Sequence, residues 1–182
     1  TQGAADRLAD ELLGRWLDAE VALDGRVLDA AAAVAEAGRL AAGPGEGPVV
    51  VADTQDNPGG GGSGDTPGLL RALIAAGAAG ALVVHIADAE AVRAAHVAGV
   101  GARVPVRLGG KVMPEYGGPV VGDAEVLALG DGRFTGTGPM SRGNPVDLGP
   151  VARLGVGGVE VVVAARKAQA SEPELLRHLG VE

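Results

Sequence analysis

Three aspartates, an asparagine and a run of glycines are packed into one short stretch, Asp53-Thr54-Gln55-Asp56-Asn57-Pro58-Gly59-Gly60-Gly61-Gly62-Ser63-Gly64-Asp65-Thr66. Two kinds of chemistry are open to it. The carboxylates could hold a hard cation such as Mg²⁺ or position a water. The glycines could turn bare backbone N–H groups toward a carboxylate or phosphate, because they adopt positive φ without a steric penalty. Asp56, Asn57, Gly59, Gly60, Gly61, Asp65 and Thr66 are the candidate substrate-binding residues, with Asp53 as a weaker one. No Lys-Ser/Thr follows the glycines, so this is not a Walker loop, and the spacing does not fit a dinucleotide fingerprint. Aspartates are also ordinary turn and cap residues, and no metal is assigned to this chain.

The flanking pattern indicates how the loop is held. Val49, Val50 and Val51 predict a strand over 48–53 before it, and Leu69, Leu70, Leu73 and Ile74 predict a helix over 67–76 after it. Thr66 is the expected N-cap, with Pro67 in the first helical turn. A second strand is predicted over 81–86, parallel to the first through a right-handed crossover. It ends at His85, close to Asp88, the expected cap of a helix over 89–98. A third strand over 103–108 runs into Gly109-Gly110-Lys111. His85 and Asp88 are weaker site candidates, as an acid–base pair or as a capping pair. Lys111, one of two lysines, is the candidate contact for a ligand carboxylate.

The second half of the chain reads differently. Gly130-Asp131-Gly132 and Gly157-Gly158 are hairpin signals between 120–129 and 133–137, and between 149–156 and 159–165. The apolar run 159–165 suits a central strand, and a short helix over 172–179 closes the chain. Arg166, Lys167 and Gln169 leave that strand and could line the same cleft as the loop; Arg166 and Gln169 join the weaker candidates. Ahead of the loop lie two helices, over 4–19 (Leu8, Leu12 and Trp16 at i, i+4, i+8) and over 27–42. They are separated by a turn at Asp24-Gly25 and followed by the breaker-rich Gly43–Pro48. The expected fold is therefore α/β: a mixed sheet with a parallel β-α-β-α-β first half and antiparallel hairpins in the second half, preceded by a helical lead-in. Residues 1–45 form that lead-in and 46–182 the α/β domain.

Composition narrows the function classes. The chain is 47% hydrophobic but only 2% aromatic, so its core is built from Val, Leu, Ile and Ala. That leaves no platform for stacking bases. A net charge of −8 argues against nucleic acid and anionic membranes as partners. Cysteine is absent, which excludes disulfides and thiolate metal sites. Three scattered histidines, His85, His96 and His178, make no zinc motif. Ser63 and Ser141 have no base in a motif and are not read as nucleophiles. The preference for Arg over Lys fits a GC-rich bacterial genome, and a cytoplasmic location is expected.

Val-Ala-Asp-Thr-Gln-Asp-Asn-Pro-Gly-Gly-Gly with Gly-Asp-Thr at 64–66 resembles the C-terminal domain of the microcystinase C (MlrC-like) family of zinc metallopeptidases. Ala98–Ala102, Leu108–Lys111, Asp131–Phe134 with Gly138–Met140, Asp147–Pro150, Gly157–Val159 and Arg166-x-x-Gln169 continue the likeness. The resemblance covers about residues 45–182 and likens residues 1–45 to a segment linking two domains. It implies a two-domain α/β enzyme whose catalytic zinc is held by an N-terminal domain outside this chain. It also implies that the loop and Lys111 face the interdomain cleft. The expected partners are that catalytic domain and a small peptide or other anionic small molecule, with a homo-oligomer also possible. The alternative is a stand-alone anion-binding module without catalysis.

Overall fold

The structure, a computed structural model, describes residues 1–181 apart from 24 and 26. The turn expected at Asp24-Gly25 lies partly outside the described residues. Two helices lead in, α1 (Gln2–Leu23) and α2 (Ala30–Ala41). Asp29 caps α2, its side chain accepting the Ala32 N–H at 2.8 Å. The body then runs α3 (Gly68–Ala75), β1 (Leu82–Ala87), α4 (Ala89–Ala98), β2 (Arg103–Leu108), β3 (Val120–Gly130), β4 (Arg133–Thr135), β5 (Pro145–Asp147), β6 (Val151–Val156), β7 (Val159–Ala164) and α5 (Glu174–His178). Among the described residues no helix is long and apolar enough to cross a membrane.

Five strands form a mixed sheet in the order β1-β7-β6-β3-β2, and β4 and β5 form a separate ribbon. The run of apolar residues in β7 has a direct cause. Val159, Val161 and Val163 pack against α3 and α4 on one face, with Leu70, Val92, Val106, Leu108 and Leu154. Val162 and Ala164 pack on the other face with Leu148, Leu175 and Leu179. From Val161 to Ala164 the strand is covered on both sides and carries no polar residue. The β6–β7 hairpin forms as the sequence predicts. Val156 faces Val159 across a two-residue turn, and Gly157 and Gly158 have φ of 58° and 87°, the pair of positive values that a tight hairpin needs.

The α/β class, the mixed sheet and the helical lead-in agree with the sequence reading, but three local expectations do not hold. First, no strand forms over 48–53. Strands need a hydrogen-bonded neighbour, and the parallel partner of β1 is β7. Val51 and Ala52 instead line an open cleft together with Ala30 and Ala33 of α2 and Leu69 of α3. The first-half strands β1 and β2 accordingly occupy opposite edges of the sheet. Second, β3 and β4 do not make a hairpin. The flank of β3 is taken by β6, with Gly130 opposite Val151. The chain at Gly132 turns toward α5, where its N–H meets His178 Nε2 at 3.3 Å, and β4 pairs with β5. Third, Thr66 does not cap α3. The helix starts at Gly68 with Pro67 at the cap position and no side-chain cap, while Thr66 directs both its N–H and its hydroxyl to Asp56.

One carboxylate fastens the far end of the fold. Glu172, at the edge of burial, accepts from the Thr137 and Gly138 N–H groups at 2.9 and 3.0 Å and from the Ser141 hydroxyl. The Ser141 hydroxyl, followed by those amides, holds the Glu172 carboxyl below the usual range for glutamate. A depressed folded-state pKa stabilises the protein above the unfolded value, about 4.3, and that contribution is lost as pH falls through the folded value. The stability gap between the natural chain and Glu172→Gln, read from urea midpoints, is therefore expected to be largest near pH 7 and to shrink below about pH 4. A gap that stays constant with pH contradicts this role.

Candidate functional site

The loop is held by its own carboxylates. Asp53 Oδ1 accepts the Gln55 and Asp56 N–H groups at 2.9 and 3.2 Å. Asp56 is the organiser: Oδ1 takes the Gly64 N–H at 2.7 Å, and Oδ2 takes the N–H and hydroxyl of Thr66 at 2.8 and 2.9 Å. Partial burial raises the Asp56 pKa, but the Thr66 and Gly64 amides and the Thr66 and Ser63 hydroxyls outweigh it, leaving the carboxyl below its usual range. Asn57 starts a single 3₁₀ turn over Pro58–Gly60, its Oδ1 accepting the Gly59 N–H at 2.9 Å. Gly61 closes that turn at φ 101°.

Asp65 couples the loop to the neighbouring turn. Its side chain is buried. Oδ1 accepts the Ser63 hydroxyl at 2.6 Å, and Oδ2 accepts the Lys111 and Val112 N–H groups at 2.8 and 2.7 Å. The Asp65 carbonyl accepts the Gly110 N–H at 2.6 Å. Gly109 sits against that same carbonyl at φ 61°, where a Cβ would collide with it. Only glycine allows this approach.

Asp88 carries the network onward. It is the N-cap of α4, accepting the Ala91 N–H at 3.0 Å, and its second oxygen takes the Gly109 N–H at 3.0 Å. Lys111 Nζ lies 2.8 Å from Asp88 Oδ1 and 2.8 Å from Glu90 Oε2. Burial lowers the lysine pKa, but the hydrogen bonds to the two carboxylates dominate and raise it. The cation is thus engaged by its own chain. The loop docks on the end of β1 through the Ala87 N–H, which donates to the Gly64 carbonyl at 2.7 Å. It also meets the segment leaving β7: Lys167 Nζ donates to the Gly62 carbonyl at 3.0 Å, and the Gln169 side chain lies where a Cβ at Gly59 would sit.

Of the sequence candidates, Asp56, Asn57, Gly59, Gly60, Gly61, Asp65, Thr66, Lys111, Asp88 and Gln169 therefore gather in one cluster of loops. His85 and Arg166 do not join their hydrogen-bond network. The β1–β7 register shifts between Val84 and Ile86, which leaves His85 as the extra residue of a bulge. Its ring is largely buried with Nδ1 unpartnered, and burial pushes its pKa down. Asp88 is occupied by Ala91, Gly109 and Lys111, so no His–Asp pair forms. Arg166 forms an ion pair with Asp147 at 2.9 Å. Sequence reasoning missed Ser63 as a bridge between carboxylates, Glu90 as a partner of Lys111, and Tyr116. Tyr116 lines an open cleft with Asp53, Thr54, Gln55, Thr66 and Leu69.

The arrangement limits the chemistry. N–H groups that an anion could have used, at Gly59, Gly64, Thr66, Lys111 and Val112, already face the chain's own oxygens. The carboxylates do not fit a metal either: among the described residues no three His, Asp or Glu side chains converge as a ligand set. The surface left facing outward is Asn57, Pro58 and side-chain-free backbone at Gly59, Gly60 and Gly61, beside the Asp53–Thr66–Tyr116 cleft.

Comparison with known proteins agrees with this picture. A family model described as MlrC C-terminus matches residues 51–182. Microcystinase C from Sphingomonas sp. is 33% identical over 135 residues, which is 74% of this chain and 26% of that protein. A crystal structure named "Putative metallopeptidase" from Mesorhizobium sp. BNC1 superposes with a TM-score of 0.73 at 26% identity, covering 90% of this chain and 32% of that one. The chain thus spans between a quarter and a third of the length of these relatives. Its carboxylate-locked loop is the Asp-Asn-Pro-Gly-Gly-Gly stretch inside the matched region, and the chain belongs to the MlrC C-terminus family.

Proposed function

We propose that this chain works as the substrate-side domain of a zinc metallopeptidase of MlrC type, with the metal held by a part of the enzyme outside these residues. The observation that carries the reading is the loop itself. Asn57 and Gly59, Gly60 and Gly61 are exposed around the half-buried Pro58 as a side-chain-poor backbone surface, while the flanking residues are tied down by Asp56, Asp65 and Lys111. A rigid surface of this kind lets an extended peptide approach closely with little ordering cost. The family membership and the metallopeptidase-named structural relative support the same reading. Zinc bound in the intact enzyme would polarise the scissile carbonyl and activate a water; the residues of this chain would orient the substrate beside it. The alternative of a stand-alone anion site finds less support, because the loop donors are already paired.

Gly60 gives a clean test. A Cβ there meets nothing closer than 3.8 Å, so Gly60→Val adds bulk to the exposed surface without disturbing the fold. In the full-length enzyme that carries this chain, Gly60→Val is expected to lower kcat/KM by about tenfold or more while Tm stays within about 2 °C. An unchanged kcat/KM contradicts the substrate-facing role. Asp56→Ala is expected to behave differently, lowering Tm by about 4 °C because Gly64 and Thr66 lose their shared acceptor. The isolated 182-residue chain supplied with Zn²⁺ is expected to hydrolyse no peptide; turnover abolished by a chelator would contradict a metal site outside it.

A further inference from the structure

The longest helix of the chain presents its apolar stripe to solvent. On α1, Leu8, Leu12, Leu13, Trp16 and Leu17 are 56–71% exposed. Every side chain from Thr1 to Glu20 is exposed except the half-buried Ala19. Among the described residues no other element makes more than marginal contact with α1. Helices in proteins owe most of their stability to packing of an amphipathic face. A contiguous apolar patch with a polar opposite side marks an interaction surface.

Two observations indicate what covers it. The matched family region is by description a C-terminus and begins at residue 51, so α1 lies on the side from which a preceding domain would join. The structural relative also shares 90% of this chain, more than residues 51–182 make up, and that shared body is only 32% of the longer chain. The helical lead-in is thus partly common to both, and two thirds of the longer chain remains to contact it. Charge separates this occupant from a second copy. The stripe is flanked by Asp6, Asp10, Glu11, Asp18 and Glu20 against Arg7 and Arg15. A self-paired interface would bring two predominantly acidic helices together.

We infer that the Leu8–Leu12–Trp16 face of α1 docks into an apolar groove, rimmed by cations, on the preceding part of a longer MlrC-type chain. The inference rests on the reading that this chain works within such an enzyme. Hydrogen exchange tests it by comparing residues 8–17 in the isolated chain and in the natural gene product that carries it. Exchange is expected to slow by about tenfold or more in the gene product. Leu12→Asp is expected to remove that protection while the amides of β6 and β7 keep theirs. Equal exchange in both proteins overturns the inference. So does protection in the isolated chain that rises with its concentration, which would identify a second copy as the occupant. Protection of α1 in a gene product without metal-dependent hydrolysis upholds the docking and sinks the proposed function. Hydrolysis with α1 unprotected does the reverse.

Discussion

The buried carboxylate of Asp65 is the constraint on which the site depends. A carboxylate removed from water must find donors or become very costly. Asp65 finds three, the Ser63 hydroxyl and the Lys111 and Val112 amides, from two segments distant in sequence. Satisfying this one group fixes the loop after Asn57 against the turn after β2. The Gly110 N–H bond to the Asp65 carbonyl and the tight approach of Gly109 repeat the fastening on the main chain. Asp88 then ties the same turn to the start of α4, with Lys111 offsetting its charge. The site is a set of acids whose partners come mainly from the backbone.

That arrangement inverts a simple view of glycine-rich loops beside a sheet. Such loops often leave their N–H groups free for an anion from outside. Here the chain carries its own anions, at Asp53, Asp56 and Asp65, and they occupy donors that a phosphate would need. The loop is shaped in advance, and what it offers outward is a bare strip of main chain. The Lys111 ammonium is likewise spent on Asp88 and Glu90. Such a surface suits positioning of a substrate whose chemistry is performed elsewhere.

Much of the architecture was legible in the sequence, for local reasons. The Asp88-capped helix and the Gly157-Gly158 hairpin depend on neighbouring residues, the strand over 103–108 pairs with the next strand in the chain, and all appear where the pattern predicts. The misread elements are those whose fate is decided at long range. Val49–Val51 has strand composition but pairs with no strand of the sheet, and β1 takes its parallel partner from β7, more than seventy residues later. Gly130-Asp131-Gly132 has hairpin composition, but β6 and His178 decide where the chain goes. For the site, residue types identified the stretch but not the direction of its bonds. Nothing in Asp56 or Asp65 as letters says whether they face a ligand or the loop's own amides, and Ser63 becomes visible as a bridge only once both acids are placed.

The loop is locked by its own carboxylates before any substrate arrives. Amide exchange of the isolated chain, resolved residue by residue by NMR, tests it most directly. The account predicts that the Gly64, Thr66, Lys111 and Val112 amides are protected far above an open loop, and that added phosphate leaves their exchange unchanged. Rapid exchange at these four amides, or protection that appears only when phosphate is added, would contradict it.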